Sequence, residues 1–134
     1  MLGKRKTRKY AFELLFGYEF NKEISPLDYY NTAYDNFVCE DDEKESVKTL
    51  FLGICDKTSE IDETISKFLN KWKITRLSKA TISILRLSTY EMKYCDLAPS
   101  ISINEAVELS KNYAEDGATS FINGVLNNIA KEER

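Results

Sequence analysis

Apolar residues recur along this chain at helical spacing from end to end. Ala11, Leu14, Leu15 and Tyr18 form a first stripe, and Leu27, Tyr30, Tyr34, Phe37 and Val38 a second. Val47, Leu50, Phe51 and Ile54 follow, then Ile61, Ile65, Phe68, Leu69 and Trp72. The last third carries three more: Ile84, Leu85, Leu87 and Tyr90; Ile103, Ala106, Val107, Ser110 and Tyr113; Phe121, Gly124, Val125 and Ile129. Each set falls on one face at about 100° per residue, the spacing of an amphipathic helix, and strand-like alternation is missing. The pattern predicts an all-α fold of about seven helices.

The breaks have local causes. The first helix is expected over residues 4–21, closed by the polar joint Asn21 to Glu23. Ser25-Pro26 opens the second, because serine caps orphan amides and proline is tolerated at the first helical position. The acids from Glu40 to Glu43 mark the next joint and favour the positive end of the following helix. Thr58 or Ser59 is expected to cap helix four, and helix five to start near Thr75 to Ser78 and run to about Tyr94. Pro99 interrupts any continuation. Ser102 with Glu105 has capping-box spacing and is expected to open helix six. Asp116-Gly117 is expected to end it, since glycine accepts the left-handed conformation. Asn104 and Asn123 interrupt apolar faces and are expected to tie joints through buried hydrogen bonds. Gly124 is expected to let two helices approach closely.

Composition narrows the chemistry. With 134 residues, 43 % apolar and 31 % charged, the chain can build one core without staples. No apolar run approaches the ~18 residues that span a membrane. Glu13 and Glu19 interrupt the N-terminal apolar stretch, which makes a poor signal peptide. The cytoplasm is the expected location. Cys39, Cys55 and Cys95 are odd in number and lack C-x-x-C spacing, so neither a disulfide framework nor a zinc site is expected. The acids at 40–43 suit a solvated helix start better than a metal. Histidine is absent, which removes the usual general base and every histidine-activated nucleophile. No catalytic residue, metal or cofactor is expected.

The net charge of −3 conceals an uneven distribution. Residues 1–10 hold Lys4, Arg5, Lys6, Arg8 and Lys9 without an acid. Residues 28–63 hold 11 acids and three lysines; residues 67–93 hold seven basic residues against Glu91 alone. Lys67, Lys71, Lys73, Lys79 and Lys93 belong to this basic stretch. Arg5, Arg8, Lys9, Phe12 and Phe16 form a second stripe on the first helix, which points to nucleic acid, with cations for phosphates and rings for unpaired bases. The competing reading is that the two rings pack on a neighbouring helix and the cations form a solvated tail. Glu91 either pairs with a nearby lysine or faces a partner protein.

Three blocks in order carry a family resemblance: Arg86-Leu87 with Tyr90-Glu91, then Ile103 to Leu109 (INEAVEL), then Phe121 to Leu126 (FINGVL). With Arg5, Arg8, Ala11, Leu15 and Phe16, they resemble the signature of the NusB family of bacterial transcription antitermination factors. The resemblance runs end to end, with a looser middle at about residues 22–60. It implies two small helical subdomains, approximately 1–57 and 58–134. It implies a partner, NusE, a protein of the small ribosomal subunit. Together the pair would bind boxA-type single-stranded RNA of ribosomal RNA leaders and join RNA polymerase in an antitermination complex. By carry-over, Arg5, Arg8 and Lys9 would hold RNA phosphates, with Phe16, Ser120 and Phe121 along the same path. The basic N-terminus, the aromatic stripe and the basic stretch add Lys4, Phe12 and Lys79 to the expected RNA-binding set. Phe16 stands where the family often has tyrosine, and the loop at Asp116 to Ala118 is less polar than the family's. Two alternatives stay open: a protein-interaction module or homodimer that binds no RNA itself, and the NusB-like domain that precedes a methyltransferase. The chain ends at Arg134, so no catalytic domain is expected to follow.

Overall fold

The computed structural model describes residues 4–33, 41–70 and 73–132. Among them the structure is all-helical, with seven α-helices and a single 3-10 turn at Ile74–Arg76. The helices are α1 (Lys4–Tyr18), α2 (Pro26–Ala33), α3 (Asp41–Asp56), α4 (Thr58–Ser66), α5 (Lys79–Tyr94), α6 (Pro99–Tyr113) and α7 (Ala118–Glu132). They form two compact units, Met1–Asp56 and Lys57–Arg134. Tyr34, Phe37, Val38, Cys39, Glu40, Lys71 and Trp72, which enter the expectations above, lie outside the described residues.

The first unit packs α1, α2 and α3 against one another. Ala11, Leu14 and Leu15 of α1, Tyr30 of α2, and Val47, Phe51 and Ile54 of α3 are buried. Ser25 caps α2 as expected: the Asp28 amide donates to its Oγ at 3.1 Å, and Pro26 takes the first helical position. Leu27 does not join the core; it is exposed, and Tyr30 carries α2's inward contact. The rings of Tyr18, Tyr29 and Phe51 meet with centroids 5.4–6.2 Å apart. Gly17 permits this approach, since a Cβ there would run into the Tyr29 hydroxyl.

The second unit is built around α5, which packs on α4, α6 and α7 and buries ten of its 16 residues. Ser78 caps it, accepting from the Thr81 amide at 3.1 Å. Arg86 of α5 grips Asp62 of α4 with two parallel bonds, Nε to Oδ1 at 2.8 Å and an η nitrogen to Oδ2 at 2.9 Å. This fork geometry is available to arginine alone among the cations. Helix α7 presents Ile122, Val125, Leu126 and Ile129 inward.

Several joints differ from expectation. Helix α4 starts behind Lys57, which occupies the cap position without a side-chain cap bond, so Thr58 and Ser59 lie inside the helix. Helix α6 starts three residues before Ser102: Pro99 is its first residue, and its fixed φ is already helical. Ser102 is therefore inside the helix and buried, so no capping box forms. Its hydroxyl donates to the Ser88 carbonyl at 3.1 Å and lies 2.6 Å from Ser88 Oγ. A second hydroxyl pair, Ser110 with Thr119 at 2.7 Å, ties α6 to α7. These small hydroxyls do what was expected of Asn104 and Asn123, which are exposed. Gly124 is exposed too, with nothing within 4 Å of where a Cβ would stand. Glu91 is buried on α5. Gly117 adopts the left-handed conformation (φ 87°), but just ahead of α7 rather than at the end of α6.

Candidate nucleic-acid interface

Helix α1 has no acid in its first turn and presents Arg5, Lys6 and Lys9 to solvent. Lys4 opens the helix, and its side chain lies outside the described residues. The rest of the basic-aromatic stripe does not stay on one surface. Residues four apart on a helix drift by roughly 40° per step. Arg8, Phe12 and Phe16 follow such a row, and Phe20 continues it in the turn beyond the helix. The row is buried at Arg8 (5 % exposed) and Phe12 (1 %) and comes out into solvent at Phe16 (37 %) and Phe20 (59 %). The expectation that Arg8 and Phe12 share an outward face with Arg5 and Lys9 is therefore corrected. Phe12 is a core residue and offers no free ring face to a base; Arg8 lies on the buried side of the same row. The rings form a ladder, with Phe12 stacked on Phe16 at 6.0 Å and Phe16 edge-to-face with Phe20 at 5.3 Å. Phe12 is its buried foot and Phe16 the first rung in solvent. What α1 offers a ligand is an exposed strip of Arg5, Lys6, Lys9 and Phe16.

The second unit carries the other candidates. Lys79, the first residue of α5, and Ser120, near the start of α7, are exposed, and Phe121 is half-buried. An open cleft of about 340 Å³ lies between the start of α5 and the α6–α7 joint. Its lining includes Arg76, Ser78, Thr81, Glu115, Asp116 and Phe121. Of the three candidates only Phe121 is part of it. Glu115 accepts hydrogen bonds from Ser78 Oγ at 2.9 Å and Thr81 Oγ1 at 3.2 Å. Its own backbone N–H is the main influence holding its carboxyl below the ordinary 4.5; burial opposes this, and the two hydroxyls reinforce it. Sequence reasoning did not single out Arg76 or Glu115. The basic run over 67–93 contained a signal for Arg76. Glu115 had none, because its partners are 34 and 37 residues away.

At the far end of α5, Tyr94 donates to Glu60 at 2.5 Å, with Lys57 and Lys93 near the same ring. That hydrogen bond is the main cause holding the Glu60 carboxyl below its ordinary range. Among the described residues no group of three or more side chains could hold a metal. Cys55 is half-buried and Cys95 exposed, and neither is in a disulfide. No described helix is long and apolar enough to cross a membrane.

These features define an all-helical protein of two compact units whose first helix presents cations beside an exposed ring. Comparison with known proteins narrows the class. The chain belongs to the NusB family, whose sequence model matches residues 5–131. It is 39 % identical over 140 residues to the transcription antitermination protein NusB of Enterococcus faecalis, an alignment covering 98 % of this chain and 91 % of that protein. Its fold is similar to that of T. maritima NusB, with a TM-score of 0.89 at 31 % identity, covering 98 % of this chain and 92 % of the other. It is also similar to a chain in the crystal structure of antitermination factors NusB and NusE in complex with dsRNA. There the TM-score is 0.83 at 27 % identity, with 96 % of each chain covered.

Proposed function

We propose that this protein is a transcription antitermination factor that binds boxA-type single-stranded RNA of ribosomal RNA leaders together with NusE. The observation that carries the reading is the exposed strip of Arg5, Lys6, Lys9 and Phe16 on α1, in a chain that belongs to the NusB family over nearly its whole length. The protein acts in the cytoplasm, and it acts by binding rather than by catalysis. Arg5 and Lys9 neutralise successive phosphates along one helix face, releasing condensed counterions. Phe16 supplies an aromatic face for an unpaired base. In the second unit, Lys79 adds a cation, and Ser120 and Phe121 extend the RNA contacts. The net charge of −3 works against indiscriminate attraction of polyanions, so RNA is held where the local charge reverses. NusE completes the RNA-binding surface, and the assembly joins elongating RNA polymerase and suppresses termination.

The test is a titration of boxA RNA, a scrambled strand and a boxA duplex, with and without purified NusE, at two salt concentrations. The reading expects boxA to bind more tightly than the scramble, NusE to strengthen it, and affinity to fall steeply with salt. The single strand should outcompete its duplex, because paired bases cannot stack on Phe16. Equal affinity for all three nucleic acids, or none with NusE present, would overturn it.

A further inference from the structure

We propose that Glu115 is a positioning residue, a clasp that fixes the α6–α7 joint against the start of α5 and so holds the first turn of α7 in its RNA-binding arrangement. The proposal rests on the reading above in one respect, that Phe121 and Ser120 contact RNA.

The joint is short: the Ser110–Thr119 hydroxyl pair and the buried Ala118 hold the first turn of α7 to α6, and Glu115 makes the side-chain link from the joint to α5. Helix α6 ends at Tyr113 and α7 begins at Ala118. Between them Glu115, Asp116 and Gly117 are all exposed. Gly117 sits at φ 87° with no atom near the position of a Cβ, so packing does not restrain it. Glycine has the largest conformational freedom to lose on ordering, and a joint of this kind samples many arrangements unless it is tied.

Glu115 ties it in two directions. Its side chain reaches α5, where Oε1 accepts from Ser78 Oγ at 2.9 Å and from Thr81 Oγ1 at 3.2 Å, and Oε2 lies 3.5 Å from Thr81 Oγ1. Its backbone carbonyl accepts from the amide of Ala118, the first residue of α7, at 3.1 Å. One residue therefore links the cap of α5 to the first turn of α7. Both hydroxyls donate to an ionised acceptor, which makes such bonds shorter and stronger than neutral ones. Farther along α7, Ile122, Val125 and Leu126 are buried and hold the helix body. The clasp acts ahead of them, on the turn that carries Ser120 and Phe121. Ser78, Thr81, Glu115, Ala118 and Phe121 all line the one cleft, so a shift of the joint moves the Phe121 ring relative to the cleft's opposite wall.

If the joint is released, only the fraction of molecules with the first turn in place binds at full strength, and the apparent affinity falls by that fraction. Glu115→Ala should weaken boxA RNA binding about three- to tenfold in the presence of NusE. Glu115→Gln should restore it to within about twofold, because a glutamine Oε1 can accept both shorter bonds. Thr81→Val, which removes one donor at nearly constant volume, should reproduce part of the loss. The amide order parameters of residues 115–118 should fall from the rigid range near ~0.85 toward ~0.6 in Glu115→Ala and hold in Glu115→Gln. A purely structural role would lower the melting temperature without this split between alanine and glutamine. Equal losses in both variants, or wild-type affinity in Glu115→Ala, would overturn the clasp. Phe121→Ala is the control. If it binds RNA normally, the reading of α7 as an RNA contact has failed, and the order parameters decide the clasp alone: unchanged values in Glu115→Ala reject it.

Discussion

Phe12 and Phe16 are one helical turn apart, and substituting each should separate packing from recognition. Phe12 is 1 % exposed, so Phe12→Ala forfeits the full transfer energy of the ring and leaves a cavity in a filled interior. Such truncations cost about 3–5 kcal/mol. With a urea m-value of about 2 kcal/mol/M, the unfolding midpoint should drop by roughly 2 M. Phe16 is 37 % exposed. It loses about two-thirds of a smaller transfer term, and no closed cavity forms, so Phe16→Ala should cost only about 1–2 kcal/mol. RNA binding should respond in the opposite order. A base stacked on an aromatic ring contributes about 1–3 kcal/mol by alanine substitution, so Phe16→Ala should weaken boxA binding roughly 5- to 150-fold. Phe12→Leu avoids wholesale unfolding, costs about 1–2 kcal/mol, and should leave the affinity of the folded protein intact. The assay pairs urea unfolding with an RNA titration in native buffer. If Phe12→Leu loses RNA affinity while Phe16→Ala keeps it, the order of the ladder has been misassigned.

The remaining predictions concern the second unit. Ser102→Ala should cost about 1–3 kcal/mol, because the buried Ser88 hydroxyl, 2.6 Å away, loses its partner. The double variant Ser88→Ala with Ser102→Ala should cost less than the sum of the two singles in a thermal-melt cycle; strict additivity would show that the pair does not couple α5 to α6. The Glu115 carboxyl is held below the ordinary 4.5 in the folded protein, so its contribution to stability is present above that pH and lost as pH falls through the folded value. The melting-temperature difference between wild type and Glu115→Gln should be constant near neutral pH and close in acid; a difference that grows in acid would reverse the sign of the argument.

Much of the fold follows from local signals strong enough to read one at a time. Ser25 before Pro26 places a cap where α2 does start, and the start expected near Thr75 to Ser78 contains Ser78, the cap of α5. The errors arise where two signals competed or where the partner was distant in sequence. Pro99 and Ser102 both mark helix starts, and the proline prevailed because its φ needs no partner to become helical. Asn104, Asn123 and Gly124 stood out only against apolar neighbours, and periodicity does not fix where the buried arc of a helix ends. The same ambiguity misplaced Arg8 and Phe12: a stripe drifting by about 40° per step crosses from interior to surface, and the sequence does not mark the crossing. The exposure of Arg5, Lys9 and Lys79 was legible because they are charged side chains on the outer arcs of predicted helices, whereas Ser120 entered through the family resemblance. Glu115 was not, because its hydrogen bonds join segments that only the tertiary fold brings together.

The measurement that tests the RNA path most directly is the salt dependence of boxA binding by Arg5→Ala with Lys9→Ala, in the presence of NusE. Both residues are exposed on α1, so the fold should be unaffected. For a single strand, each phosphate contact contributes about 0.7 to the slope of log affinity against log salt. The double variant should bind more weakly than wild type, with a slope lower by roughly one to two units. Wild-type affinity with an unchanged slope would show that the basic start of α1 is a solvated tail.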